Sequence, residues 1–259
     1  MKRRSFLRNS AVALGAVAAV PASASSLPSG ASGKSVYELR IYQLNSTGAK
    51  NSFVEYLTGA LMPYWNLMGG KVGIFSEYSL EEPPKLYVLL TLTDGAKYFE
   101  VLRNMESNAA YLAAAKNYLE TTAQRPLYSR YDTLLLEAFD TMPALRQPTA
   151  DRGLLELRIY ESNNEDSLRR KILMFDKEEI PLFDKIGITT TFFGKNIAGG
   201  YMPALTYMSF FKDMDARNKA WDVFRVHPEW IAMRDKPEYA NTVSKVRKIF
   251  LLPEAASQI

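Results

Sequence analysis

Glu38-Leu39-Arg40-Ile41-Tyr42 recurs letter for letter as Glu156-Leu157-Arg158-Ile159-Tyr160, 118 residues further on. The same displacement carries Pro63 onto Pro181, Gly69 onto Gly187 and Phe75 onto Phe193 without a gap. A chance pentapeptide does not bring three further matches in register, so the chain reads as two copies of one unit. Around the first pentapeptide, residues 36–44 alternate as a strand. Phe53, Leu57, Leu61, Tyr64 and Met68 then recur at helical spacing up to the stop at Gly69-Gly70. Strands are expected at 71–80 and 86–93 across the turn Glu81-Glu82-Pro83-Pro84, a helix from 96 to about 119 with a break near Ser107-Asn108, and a closing strand at 129–138.

The second half gives the same order. A strand is expected at 154–161, a helix at 167–186 ended by Gly187, strands at 188–195 and 204–212 around Gly199-Gly200, a helical region from 213 to about 243, and a strand at 245–252. This β-α-β-β-α-β order predicts an α+β fold of two ferredoxin-like units, each an antiparallel four-stranded sheet with helices on one face. The uncovered faces are expected to pack on each other as a pseudo-symmetric α/β barrel, either within the chain or across a dimer. The organisation is then a signal at 1–24, a flexible lead at 25–35, a first unit at 36–140, a linker at 141–153 rich in Pro and Gly, a second unit at 154–252 and a tail at 253–259.

The leader reads as an export signal: Lys2, Arg3, Arg4 and Arg8, the apolar run 11–20, and Ala22-Ser23-Ala24 before a cut. Arg3-Arg4-Ser5-Phe6-Leu7 resembles the twin-arginine address, which implies a periplasmic or secreted protein. The apolar run is too short to span a bilayer, so no transmembrane segment is expected in the mature chain. The sequence holds 32 Lys plus Arg against 28 Asp plus Glu, and all four charges ahead of the cut are basic. The mature part is therefore neutral, with no basic stripe for nucleic acid. Cysteine is absent, which excludes disulfides, thiol nucleophiles and thiolate metal sites, and His227 is the single histidine, so no multi-histidine metal site can be built in one chain.

The repeated Glu-Leu-Arg-Ile-Tyr strand, the helix ending in Pro then Gly, and Ala220-Trp221-Asp222-Val223-Phe224 followed by His227-Pro228-Glu229-Trp230 resemble the NIPSNAP family, twice over between about 35 and 252. The resemblance implies the fold of the dimeric α/β barrel superfamily, and it leaves open whether the chain forms a homo-oligomer. It settles no activity. The first half has Asn108-Ala109-Ala110-Tyr111 where the second has the Pro-Glu-Trp segment, so whatever that segment does is expected in the second half alone.

Side-chain alternation puts Leu39 and Ile41 on one face of the opening strand and Glu38, Arg40 and Tyr42 on the other. With the apolar face against the helices, Glu38, Arg40, Tyr42, Glu156, Arg158 and Tyr160 are expected to line the space between the sheets. There they would either grip a small ligand or pair as a structural network. His227 is the one candidate for a haem iron, a role that the superfamily resemblance suggests. Its place directly before Pro228 argues instead for a helix cap. Trp221, Phe224, Trp230 and Met233 are expected in the core, and Met62-Pro63-Tyr64-Trp65 at one end of the barrel. The leading expectation is a protein that binds a small molecule or a partner between its sheets. The alternatives are a cofactor-independent enzyme acting by proton transfer on an aromatic or carbonyl substrate, and a haem protein. No metal and no cofactor is assigned, and whether the chain is an enzyme stays open.

Overall fold

A computed structural model describes residues 33–79, 81–148 and 153–259. The expected signal at 1–24 and most of the lead at 25–35 lie outside the described residues. The last residues of that lead are packed, against expectation. Ser35 is buried and its N–H donates to Pro143 O at 3.0 Å, while Lys34 pairs with Asp140 at 2.6 Å.

The first half supplies β1 (Val36–Leu44), β2 (Gly70–Glu77), β3 (Lys85–Leu92) and β4 (Tyr128–Ala138). The second supplies β5 (Leu154–Glu161), β6 (Thr189–Gly199), β7 (Ala204–Phe211) and β8 (Lys245–Pro253). All pair antiparallel in one closed barrel, β1-β3-β2-β8-β5-β7-β6-β4, so the two sheets meet within a single chain. Each half contributes its strands in the same order, and two seams join the halves. One runs from Phe75–Pro253 to Glu77–Leu251, the other from Leu134–Gly199 to Ala138–Gly194. Closure leaves no sheet edge unpaired.

Helices pack on the outside of this barrel. In the first half α1 (Thr47–Tyr56) passes through a π turn at Leu57–Leu61 into α2 (Met62–Leu67), and α3 (Tyr98–Met105), α4 (Ala109–Ala114) and α5 (Lys116–Leu119) follow β3. In the second half α6 (Glu165–Met174) passes through a π turn at Phe175–Glu179 into α7 (Ile180–Ile186), and α8 (Met214–Val226) and α9 (Pro228–Arg234) follow β7. Both π turns precede the Pro at the second position of the next helix, whose missing N–H cannot complete a regular α turn. Ser46 and Asn164 cap α1 and α6 by accepting from the backbone N–H three residues on. Gly187 closes α7 at φ +81°, a conformation that suits glycine.

Three apolar layers result. Tyr37, Leu39, Phe75, Leu89, Leu157 and Met208 fill the barrel interior with their neighbours. Phe53, Trp65 and Val88 lie under the first set of helices, and Phe175, Phe183 and Trp221 under the second. The alternation on β1 and β5 is as expected, but the faces are reversed. Leu39, Ile41, Leu157 and Ile159 point into the barrel, whereas Tyr42 and Tyr160 pack beneath the helices with Glu38, Arg40, Glu156 and Arg158 on the same outward face. The physical reason is packing: below its mouth the closed barrel is filled by apolar side chains, so charges go to the layer where helix side chains can meet them.

The tail and the linker are also more than connections. After β8, Glu254 and Gln258 donate backbone N–H bonds to Ile74 and Val72 of β2, and Ile259 enters the barrel core. After β4, Phe139 and Arg146 donate to Phe193 and Thr191 of β6, and Leu145 enters the same core. Leu145 and Ile259 therefore close the barrel end where β1 and β5 begin. Met62-Pro63-Tyr64-Trp65 does not: Trp65 is buried between α2 and the sheet, its Nε1 donating to Thr91 O at 2.7 Å.

Candidate functional site

The six residues singled out on β1 and β5 form two separate networks, both on the outer face of the barrel, one under the helices of each half. Glu156 is fully buried and takes hydrogen bonds from Arg158 Nε (2.8 Å), Arg217 Nε and Nη2 (2.9 and 2.7 Å) and Trp221 Nε1 (2.7 Å). Burial alone would raise its carboxyl. Arg217 and Arg158 more than offset that and hold it below the usual carboxylate range. Arg158 lies 3.6 Å from the Trp221 ring centroid and donates to Tyr160, whose hydroxyl meets that of Tyr207 at 3.3 Å. Every lone pair of Glu156 is in use, which marks a positioning network rather than an open binding site.

Glu38 is held by Arg40 in a two-pronged pair at 2.7 and 2.8 Å and by the Thr133 hydroxyl at 3.1 Å. Burial and the facing Glu38 push the Tyr98 hydroxyl above its ordinary range. Ser209 stands opposite Glu156 where Leu90 stands opposite Glu38, a spacing of 119. At that spacing Tyr98 takes the place of Arg217, and Leu102 that of Trp221. His227 starts α9 as its N-cap: Nδ1 accepts from Glu229 N–H at 3.3 Å. A half-exposed ring committed to capping does not fit a haem ligand, which needs an apolar pocket around the imidazole.

The space between the sheets opens at the end where β1 and β5 finish. Ile41, Leu134, Ile159 and Ile249 form the floor of a cleft of about 500 Å³ there, with Gln43, Lys85, Tyr87, Asp132 and Tyr201 around it. The Tyr87 hydroxyl donates to Glu77 Oε1 at 2.6 Å, and burial followed by that contact pushes the phenol above its ordinary range. Gly199 roofs one side at φ +118°. A Cβ there would stand 2.3 Å from Thr133 O, so the β6–β7 turn can lie against β4 only with glycine at this position. An apolar floor with a few convergent polar groups, at the mouth of a barrel, is the usual form of a small-molecule site.

The sequence from 155 to 258 matches the NIPSNAP family. The match falls on the second half of the chain. Among curated proteins no relative matches the sequence. Two solved structures share the fold over most of the chain. One is a candidate monooxygenase from Lactobacillus acidophilus NCFM, 11% identical, covering 85% of this chain and 94% of its own, with a TM-score of 0.53. The other is a candidate monooxygenase from Fusobacterium nucleatum, 10% identical, covering 85% and 93%, with a TM-score of 0.58. An uncharacterized NIPSNAP-like domain protein from Burkholderia xenovorans is 17% identical over 40% of this chain and 88% of its own, with a TM-score of 0.37.

Within the matched segment, Glu156, Arg158 and Tyr160 come together as the sequence suggested, but under α8 instead of in the barrel. Arg217 and Lys171 were missed. Arg217 sits one turn ahead of Trp221 on the same helix face, a signal that was readable. Lys171 is buried and pairs with Glu179 at 2.8 Å across the π turn, a contact that ordinary helical spacing does not foretell. Among the described residues no helix is long and apolar enough to cross a membrane.

Proposed function

We propose that the chain is an exported NIPSNAP-type protein that binds a small molecule in the mouth of its barrel, with an apolar body on the isoleucine floor and a polar end at Lys85, Tyr87 and Asp132. On this reading the first half is a second, diverged copy of the same ferredoxin-like unit. The observation that carries the reading is the open cleft over Ile41, Leu134, Ile159 and Ile249, in a barrel otherwise filled to its closed end. Native mass spectrometry of the protein purified after export tests it. A small molecule is expected on the wild type and absent from Ile41→Trp, which fills the floor. Equal occupancy in the two proteins overturns the reading.

The Tyr87–Glu77 pair favours a second reading, proton transfer on a carbonyl or aromatic substrate, because it is a phenol–carboxylate couple beside the cleft. The two candidate monooxygenases supply the fold for comparison and, at 10 and 11% identity, no chemistry. Tyr87→Phe separates the readings: unchanged ligand occupancy with lost turnover of that ligand moves the protein to the enzyme class.

A further inference from the structure

The two seams have the same construction and different contents. At the β2–β8 seam, Ser76 Oγ donates to the Glu254 carboxylate and Lys50 Nζ lies 2.7 Å from the same Oε1, while Thr47 donates to Glu82 at 2.6 Å. The chain's own carboxylate thus occupies that seam, and the cleft left beside it is about 100 Å³.

At the β4–β6 seam the corresponding cleft is about 590 Å³. Leu205 stands opposite Lys195 as Leu86 stands opposite Ser76, so Lys195 holds the place of the serine that binds Glu254. Leu168 of α6 replaces Lys50 of α1, and Ile172, Ile197, Met202 and Pro203 make the rest of the wall apolar. Among the described residues no carboxylate lies within 4 Å of Lys195 Nζ. Glu137 faces it in register but turns to Lys34 at 3.8 Å, and Arg169 is taken by Asp166 at 2.7 Å. Glu165, also on the wall, lies in the first turn of α6, where the helix N-terminus accommodates its charge.

We infer that the β4–β6 cleft is a second binding site, for a small amphipathic carboxylate whose acid group meets Lys195 and whose apolar body lies on Leu168, Ile172 and Ile197. Phe139 holds the register place of Glu254 at this seam, its N–H on Phe193 O and its ring against Phe175 and Phe193, so among the described residues no acid stands where Glu254 does and the ligand supplies it. An exposed ammonium supplies direction more than affinity, and the apolar wall supplies the rest.

Calorimetric titration of the mature protein with sodium decanoate tests this, with decanol as the uncharged comparison. Decanoate is expected to bind below its micelle concentration and about two- to fivefold more tightly than decanol. Lys195→Gln, at an exposed side chain, should remove that preference, and Ile197→Trp should abolish binding by filling the cleft. Lys50→Gln at the other seam and Ile41→Trp in the barrel mouth should leave decanoate affinity unchanged. Absent binding, equal affinity for decanol, or a Lys195→Gln protein that keeps the preference each overturns the proposal. So does loss of binding in Ile41→Trp, which would place decanoate in the mouth.

Discussion

The two halves wrap the same strand order around one core and solve the space under their helices differently. Where the first half puts Phe53 and Leu61, the second puts Lys171 and Glu179; where the first puts Tyr98 and Leu102 over its glutamate, the second puts Arg217 and Trp221. The first half is an aromatic layer with one ion pair at its edge, rich in tyrosine contacts such as the stacked Tyr56 and Tyr118 rings at 3.7 Å. The second is a layer threaded by buried charge. A four-stranded sheet with helices on one face therefore fixes where residues lie and leaves open whether the layer is held by rings or by ions, provided each buried charge is met.

Removing Glu156 is the strongest test of that difference. Glu156→Ala leaves Arg158, Arg217 and Trp221 Nε1 without an acceptor and should cost about 3–5 kcal/mol in urea unfolding. Glu38→Ala strands one guanidinium, that of Arg40, where Glu156→Ala strands two and an indole N–H, and should cost about 1–3 kcal/mol. Equal losses would erase the distinction between the halves. The pH dependence follows from the same contact. The carboxyl of Glu156 is lowered on folding, so its stabilisation is fully present above the ordinary glutamate value of about 4.3 and is lost as pH falls through the lower folded value. Glu156→Gln should flatten that acid limb of the stability curve.

The buried Lys171–Glu179 pair offers a direct exchange between halves. Lys171→Phe or Glu179→Leu alone strands a charge and should cost about 3 kcal/mol. The double variant, which copies Phe53 and Leu61, should recover to within about 1 kcal/mol of the wild type. A double variant as weak as the singles would show that the layer of the second half cannot accept the apolar solution.

The smallest expected effect is at the caps. Asn108 begins α4 by accepting from Tyr111 N–H at 2.8 Å, and His227 begins α9 at the matching position with a 3.3 Å bond to Glu229 N–H. His227→Asn should raise stability by about 0.5 kcal/mol, since asparagine leads the N-cap ranking. A loss would mean that the histidine ring has a further partner to keep.

Much of this was legible in the sequence for a physical reason: strand and helix periods survive wherever one face is apolar, and the exact repeat fixed the order of both halves. The helix break at Ser107-Asn108, the stop at Gly187 and the capping place of His227 all follow from local chemistry. The face of Glu38, Arg40 and Tyr42 did not. Parity tells which residues share a side, not which side is drier, and here both sides of the strand are covered. The mouth was hidden for another reason. Ile41, Lys85, Asp132, Ile159, Tyr201 and Ile249 come from six separate segments, and only closure of the barrel brings them together.

The crossed ends carry a consequence for the order of events in folding. Phe75 finds its partner at Pro253, and Val72 at Gln258, close to the greatest separation along the strands that the chain allows. Loop closure disfavours such pairings, and they form late. A chain emerging from the ribosome must therefore hold its first half with the β2 edge bare until the final strand arrives, which makes that edge the point where a stalled or truncated product would pair with a neighbour instead.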